Sequence, residues 1–367
     1  MRFGAPQRTR GIRSVIMKAT SGAPVQRTDS GAGEPARRRP TINDVAAASG
    51  VSRGTVSRYL NGGKWVSPDA QEAIQRAIRR TGYRANQHAR SLVTGRANAL
   101  AFLLAEPQDR LFADPTYTPL LRGAAEALTK RQMTLNLLVA STPEERENVV
   151  AYMSGGHVDG AMLISSHEND PLVDLLLAHD IPVVSCGLPL GRTDAVPSVS
   201  VDEAGGARAM VAHLRSRGRR RIAMITGPLD QPGGRYRLEG YREELGADYD
   251  EALVAHGDWG RESGSAAMAE LLQRDDEIDA VFAASDAMAA GAMATLRRAG
   301  RRVPDDVAVG GFDDSPLASN LDPPLTTMHQ PFDKISAEMV AVLLETAAGG
   351  EIKSVTLPAK LIIRAST

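Results

Sequence analysis

The side chains best suited to chemistry fall within twenty residues, TINDVAAASGVSRGTVSRYL at 41–60. Arg53, Thr55, Ser57 and Arg58 fall on the outer face of a helix whose Val56, Tyr59 and Leu60 turn inward. Such a face offers hydrogen-bond donors to base edges and phosphate oxygens. Ser52 is placed to cap this helix. Upstream, Ile42, Val45, Ala46 and Ala48 give another helix its apolar face. Thr41 caps it with Asp44 three residues on, and Gly50 supplies the left-handed residue that ends it. Two short helices joined by a Gly-containing turn, the second basic outside, make a helix-turn-helix.

A third helix follows in WVSPDAQEAIQRAIRRTGY. Ser67 is its expected cap, Pro68 its first residue, and Ala70, Ala73, Ile74, Ala77 and Ile78 its inner face, with Gly82 as terminator. It covers the back of the first two. Asn86 then caps under two turns of helix, too short to be stable alone in water. Residues 41–95, through DVAAASGVSRGTVSRYLN, VSPDAQEAIQRAIRRTGY and ARSL, resemble the DNA-binding headpiece of the LacI/GalR family of transcription regulators. The resemblance implies a DNA-contacting set of Thr41, Ser52, Arg53, Gly54, Thr55, Ser57, Arg58 and Asn61, continued by Asn86, His88, Ala89, Arg90 and Leu92 of a hinge helix. Arg53 and Gly54 open the helix that reads the major groove. Leu92 matches the leucine that wedges into the minor groove at the operator centre. Two residues depart from the family pattern: Gly54 carries no side-chain information, and Ala85 stands where proline is common.

The 367-residue chain is 43% hydrophobic, enough for a sizeable core, with a net charge of −1. That average hides a strong polarity. Residues 1–96 hold 18 Lys/Arg against 5 Asp/Glu, a net of +13, which leaves −14 on the remainder. A basic module on an acidic body suits nucleic acid binding. Residues 1–40, rich in Arg, Gly, Pro, Ser and Thr, are expected to be a disordered basic extension. Arg37, Arg38 and Arg39 are equally a groove-touching arm or a solvated tail, and Met17 is an alternative start. The lone Cys186 excludes an intrachain disulfide. Seven scattered histidines suggest no metal site, no cofactor is called for, and no apolar run approaches the ~20 residues of a membrane span. A cytoplasmic location is expected.

From Ala99, apolar strand-like runs alternate with helical stretches. Strands are predicted at 99–105, 134–140, 160–165, 181–185, 198–202, 221–226, 279–284 and 307–312, with helices at 119–131, 203–217 and 285–299 among those between them. Alternation of this kind implies doubly wound parallel α/β sheets, two of them rather than one. VDEAGGARAMVAHL, AASDAMAAGAM, GFDDSP and DPPLTTMHQP resemble the two-lobed periplasmic-binding-protein-like body that the same family carries. The expected organisation is an extension (1–40), a headpiece (41–85), a hinge (86–97) and an effector and dimerisation domain (98–367). Crossings near Val196, Val303 and Met328 divide that domain into a first lobe of about 98–195 and 304–328 and a second of about 196–303 and 329–367.

Ligands of such lobes bind at the carboxyl ends of strands. By resemblance, Asp286 accepts hydrogen bonds from ligand hydroxyls and Arg235 points at the ligand. Their structural alternatives are an N-terminal cap (with Ser285 the better candidate) and an ion pair at a helix end. Phe112, Tyr117 and Trp259 could stack on a sugar ring or simply pack. Gly205-Gly206 lacks any phosphate-loop pattern. No nucleophile, metal cluster or nucleotide loop points to an enzyme. The expectation is a homodimeric DNA-binding regulator, a repressor, binding a pseudo-palindromic operator in double-stranded DNA under control of a small sugar. A purine- or protein-corepressed regulator of the same family and a solute-binding protein are the alternatives.

Overall fold

A computed structural model of the chain describes residues 38, 40–60, 65–84, 96–193 and 195–367. The chain divides into two units, residues 1–84 and 85–367. In the first, α1 (Ile42–Ser49), α2 (Arg53–Leu60) and α3 (Pro68–Thr81) enclose a core of Val45, Val56, Val66, Ile74 and Ala77. The local signals act as their chemistry requires. Asp44 accepts from the Thr41 amide and hydroxyl, both at 2.7 Å, which holds the start of α1. Gly50, at φ +73°, closes α1 through its N–H to the Ala46 carbonyl. Ser67 differs from expectation. Its carbonyl receives the Gln71 amide, but its hydroxyl makes no capping bond. The first turn of α3 rests instead on Pro68 and on Gln71 Nε2, which donates to the Val66 carbonyl at 2.9 Å.

The second unit holds two six-stranded sheets. The first is ordered β11 (Ser354–Leu357), β5 (Ser198–Val201), β4 (Val183–Cys186), β3 (Ala161–Ile164), β1 (Ala99–Leu104), β2 (Thr134–Val139). The second runs β12 (Lys360–Ile362), β10 (Thr326–His329), β9 (Ala308–Asp313), β8 (Ala280–Ala283), β6 (Ile222–Thr226), β7 (Val254–His256). Every pairing is parallel except β10 with β12. Each sheet reverses its winding once, between β1 and β3 and between β6 and β8, as a doubly wound sheet does. The eight predicted strands are present. β7, β10, β11 and β12 are additions, three or four residues long, without a sustained apolar run.

Sheet membership corrects the expected lobe limits. Ala280 pairs with Ala308 and Gly310 with Thr326, so residues 304–328 continue the second sheet, not the first. The helix Phe332–Ala347 packs on β4 and β5, and β11 pairs with β5, so 332–357 belong to the first lobe. The lobe crossings therefore fall near Asp202, at Gln330-Pro331 and at Pro358-Ala359. Which sheet a strand joins depends on pairing with distant residues, which local sequence does not record.

The headpiece core is small, so each member matters. Ile74→Ala is expected to cost about 2–4 kcal/mol, enough to make residues 41–84 protease-sensitive. The thermal transition of residues 98–367 should stay in place, read by limited proteolysis beside calorimetry of the full chain.

Candidate functional site

The headpiece presents a compact donor surface. Ser52, Arg53, Gly54 and Arg58 are exposed, and Thr55 and Ser57 are half-buried. Ser52 Oγ accepts the Thr55 amide at 3.1 Å and lies 2.9 Å from Thr55 Oγ1, so both hydroxyls are partly committed to the start of α2. Arg58 Nε lies 3.4 Å from the Gly54 carbonyl, and Arg53 projects from the helix start. Gln75 Nε2 donates to Tyr59 Oη at 2.8 Å, fixing α2 on α3. Thr41 serves as a cap. Asn61, Asn86, His88, Ala89, Arg90 and Leu92 lie outside the described residues. A Cβ at Gly54 would meet only Ser52 Oγ, at 3.7 Å, so headpiece packing does not require glycine there.

A cavity of about 830 Å³ lies between the lobes. Its walls are built where strands end. Ser165 follows β3, Cys186 closes β4, Gln231 follows β6, Trp259 follows β7, Ser285 follows β8, Asp313 closes β9 and Gln330 follows β10. Tyr117 adds a buried ring, its Oη 3.2 Å from Ser165 Oγ. Burial raises the Tyr117 hydroxyl above its ordinary range and pushes the Cys186 thiol up to about 12, so both are neutral wall groups.

Arg237 anchors the floor. It is buried, with Nε donating to Glu203 Oε2 at 2.6 Å and Nη1 donating to the Ala284 carbonyl. The same Nη1 lies 3.6 Å from Asp313 Oδ1. Its guanidinium lies 3.7 Å from the Phe312 ring centroid and 5.3 Å from that of Trp259. A buried cation needs this much pairing to remain charged. Burial drives the Asp313 carboxyl well above the ordinary range, with Arg237 opposing. Gln330 Nε2 also donates to Asp313, at 2.8 Å. Trp259 is held by its Nε1, which donates to Gln231 Oε1 at 2.6 Å. A stacking ring beside a cation, an acid, two amides and several hydroxyls suits a neutral, hydroxyl-rich ligand.

Of the five residues expected at the ligand, this cavity gathers Tyr117 and Trp259. Phe112, 86% exposed on the short helix Gln108–Ala113, is not among its walls. Arg235 forms a two-pronged ion pair with Glu168, at 3.0 and 2.6 Å, joining the lobes outside the lining. Asp286 is fully buried behind the wall. It accepts the Ser315 amide at 2.7 Å and the Thr327 hydroxyl at 2.5 Å, while Ser285 caps the helix through the Met288 amide. Burial pushes Asp286 up to about 6. Arg237 and Asp313 stand where Arg235 and Asp286 were expected. Periodicity could have found Arg237, which shares its helical face with Gly234, Leu238, Tyr241 and Leu245.

Among the described residues, no group of three or more His, Cys, Asp or Glu could hold a metal ion, and no helix is long and apolar enough to cross a membrane.

Three substitutions have separate expected outcomes. Gly54→Ala should raise headpiece stability by up to about 1 kcal/mol; a simultaneous loss of operator affinity would locate close DNA approach at this position. Asp286→Ala should lower the melting temperature, since each orphaned donor costs about 1–3 kcal/mol. Phe112→Ser should leave ligand affinity unchanged by calorimetry.

Residues 41–86 match the profile described as bacterial regulatory proteins, lacI family, and residues 211–367 match a periplasmic binding protein-like domain. The chain is 44% identical over 331 residues to the HTH-type transcriptional regulator CelR of Thermobifida fusca, covering 89% of this chain and 96% of that protein. It is 33% identical to the ribose operon repressor of Escherichia coli (strain K12), covering 83% and 92%. Among solved structures, a CelR–cellobiose complex aligns with TM-score 0.72 at 42% identity, over 90% of this chain and 100% of that one. A lac repressor dimer bound to operator and an anti-inducer aligns with TM-score 0.79 at 26% identity, over 90% and 99%. With both its helix-turn-helix and its two-lobed body matched in one chain, the protein belongs to the LacI family, as a DNA-binding transcription regulator.

Proposed function

We propose that this regulator is a homodimeric repressor whose operator affinity is set by a gluco-disaccharide of the cellobiose type, held between the lobes. The observation that carries this reading is the cleft itself. Trp259 offers an aromatic face for the apolar side of a sugar ring. Around it, Arg237, Asp313, Gln231, Gln330 and Ser285 offer donors and acceptors for hydroxyls. The 42% identity with the chain solved with cellobiose supports the choice of sugar. In this reading Arg237 and Asp313, rather than Arg235 and Asp286, carry the polar contacts.

In the headpiece, Arg53, Thr55, Ser57 and Arg58 read base edges and phosphates, Gly54 permits close approach, and Asn61 adds a polar contact. The segment 86–97, with Asn86, His88, Ala89, Arg90 and the wedge Leu92, acts as a hinge at the operator centre. The effector shifts an existing equilibrium between lobe arrangements by its differential affinity for them.

Selection from a randomised duplex pool at moderate salt, followed by challenge with a sugar panel, tests both ends. A pseudo-palindrome released by cellobiose is the expected result. Retention regardless of every sugar would overturn the effector assignment, and recovery of salt-sensitive, unspecific DNA alone would overturn the headpiece assignment. Trp259→Ala should weaken cellobiose binding by about tenfold or more, the equivalent of ~1.5 kcal/mol of stacking, while operator binding without sugar stays near that of the parent.

A further inference from the structure

One cluster of charged groups lies beside the cleft and meets its wall at Gln231. Glu106 follows β1 and His167 follows β3, both in the first lobe; Asp230 and Gln231 follow β6 in the second. His167 Nδ1 lies 2.7 Å from Asp230 Oδ2, and Nε2 lies 2.9 Å from Glu106 Oε1. Gln231 Nε2 donates to the same Glu106 oxygen at 2.6 Å, and its Oε1 accepts Trp259 Nε1 at 2.6 Å. A continuous path therefore runs from Asp230 through His167, Glu106 and Gln231 to the indole that faces the cleft, crossing between lobes twice.

We infer that Glu106, His167, Asp230 and Gln231 form a proton-dependent clasp that holds the lobes closed and positions Trp259 for the effector.

The chemistry of imidazole carries the argument. A neutral ring has one N–H and one lone pair. With a carboxylate at each nitrogen, the neutral form leaves a lone pair facing an anionic oxygen. The imidazolium donates to both. The 3.0 Å between Gln231 Nε2 and His167 Nε2 is then the separation of two donors meeting on one oxygen. Glu168 beside His167 is occupied by Arg235, and its amide donates to the Asp230 carbonyl at 2.6 Å, which brings the same two segments together. Opening the lobes takes Gln231 from Glu106 and Asp230 from His167. The amide that orients Trp259 is then free to turn.

Hydrogen bonding to Glu106, then to Asp230, raises His167 from 6.5 to about 9 against the opposing effect of burial. The sign follows from linkage. A group raised in the closed state favours closure fully below its ordinary value and loses that contribution as pH rises through about 9. Glu106 shares a lobe with His167, so part of the shift persists on opening and the linked change is smaller than the whole.

This inference rests on the cleft as the effector site, and its test separates the two. The full chain carrying Trp65→Phe leaves Trp259 as the only indole. Cellobiose affinity by calorimetry and Trp259 emission are followed from pH 6 to pH 10, with circular dichroism monitoring the fold. Affinity is expected to fall about tenfold across this range, the equivalent of one pKa unit, with a matching step in emission. His167→Gln should be weak and flat with pH; His167→Lys, which stays charged, should hold its affinity to higher pH than the parent. If His167→Gln does not fold, Asp230→Asn should move the step to lower pH. The same profile in parent and His167→Gln, or no step in either, would overturn the clasp. If cellobiose binds at no pH, the choice of effector fails. The emission step, present in the parent and absent in His167→Gln, then still decides the clasp.

Discussion

A buried guanidinium organises the effector domain. Arg237 cannot stay charged away from water without partners on several sides. It draws Glu203 from the helix after β5, Asp313 from the end of β9 and the Ala284 carbonyl from the end of β8 to one point. Its face is filled by Phe312 and approached by Trp259. The floor of the cleft is thereby assembled from segments more than a hundred residues apart. Its polar groups are already oriented before any ligand arrives, which lowers the ordering cost of binding.

The same constraint separates two kinds of ion pair. Arg237 and Asp313 are deep, mutually dependent and part of the cleft lining. Arg235–Glu168 and Arg110–Asp258, the latter at 3.6 Å, lie at the rim, where exposure weakens them. Rim contacts of this strength can break and re-form, as a two-lobed receptor needs. Burial of Asp286 serves a third purpose. By accepting from Ser315 and Thr327 it holds the GFDDSP turn, and so Asp313, in place.

Much of this was legible in the sequence because it is local. Caps, glycine terminators and helical periodicity are written within a few residues of where they act. The headpiece helices emerge from Thr41, Asp44, Gly50, Ser52 and the inward Val45, Val56 and Ile74 alone. The eight predicted strands emerge from their apolar runs. The exceptions follow the same logic. Ser67 had the right residue type, but its hydroxyl makes no capping bond. β10, β11 and β12 are too polar to stand out, and exist because a neighbouring strand pairs with them.

What the sequence determined by itself was therefore the helix-turn-helix, the alternating α/β body and the polarity between a basic end and an acidic one. The tertiary structure alone decided lobe membership, since 304–328 and 332–357 are assigned by pairing and packing with distant segments. It also decided which of Arg235 and Arg237, and which of Asp286 and Asp313, faces the cleft. Two residues apart on one helix, the arginines point about 200° apart; only the packing of that helix on its sheet selects the one that is buried.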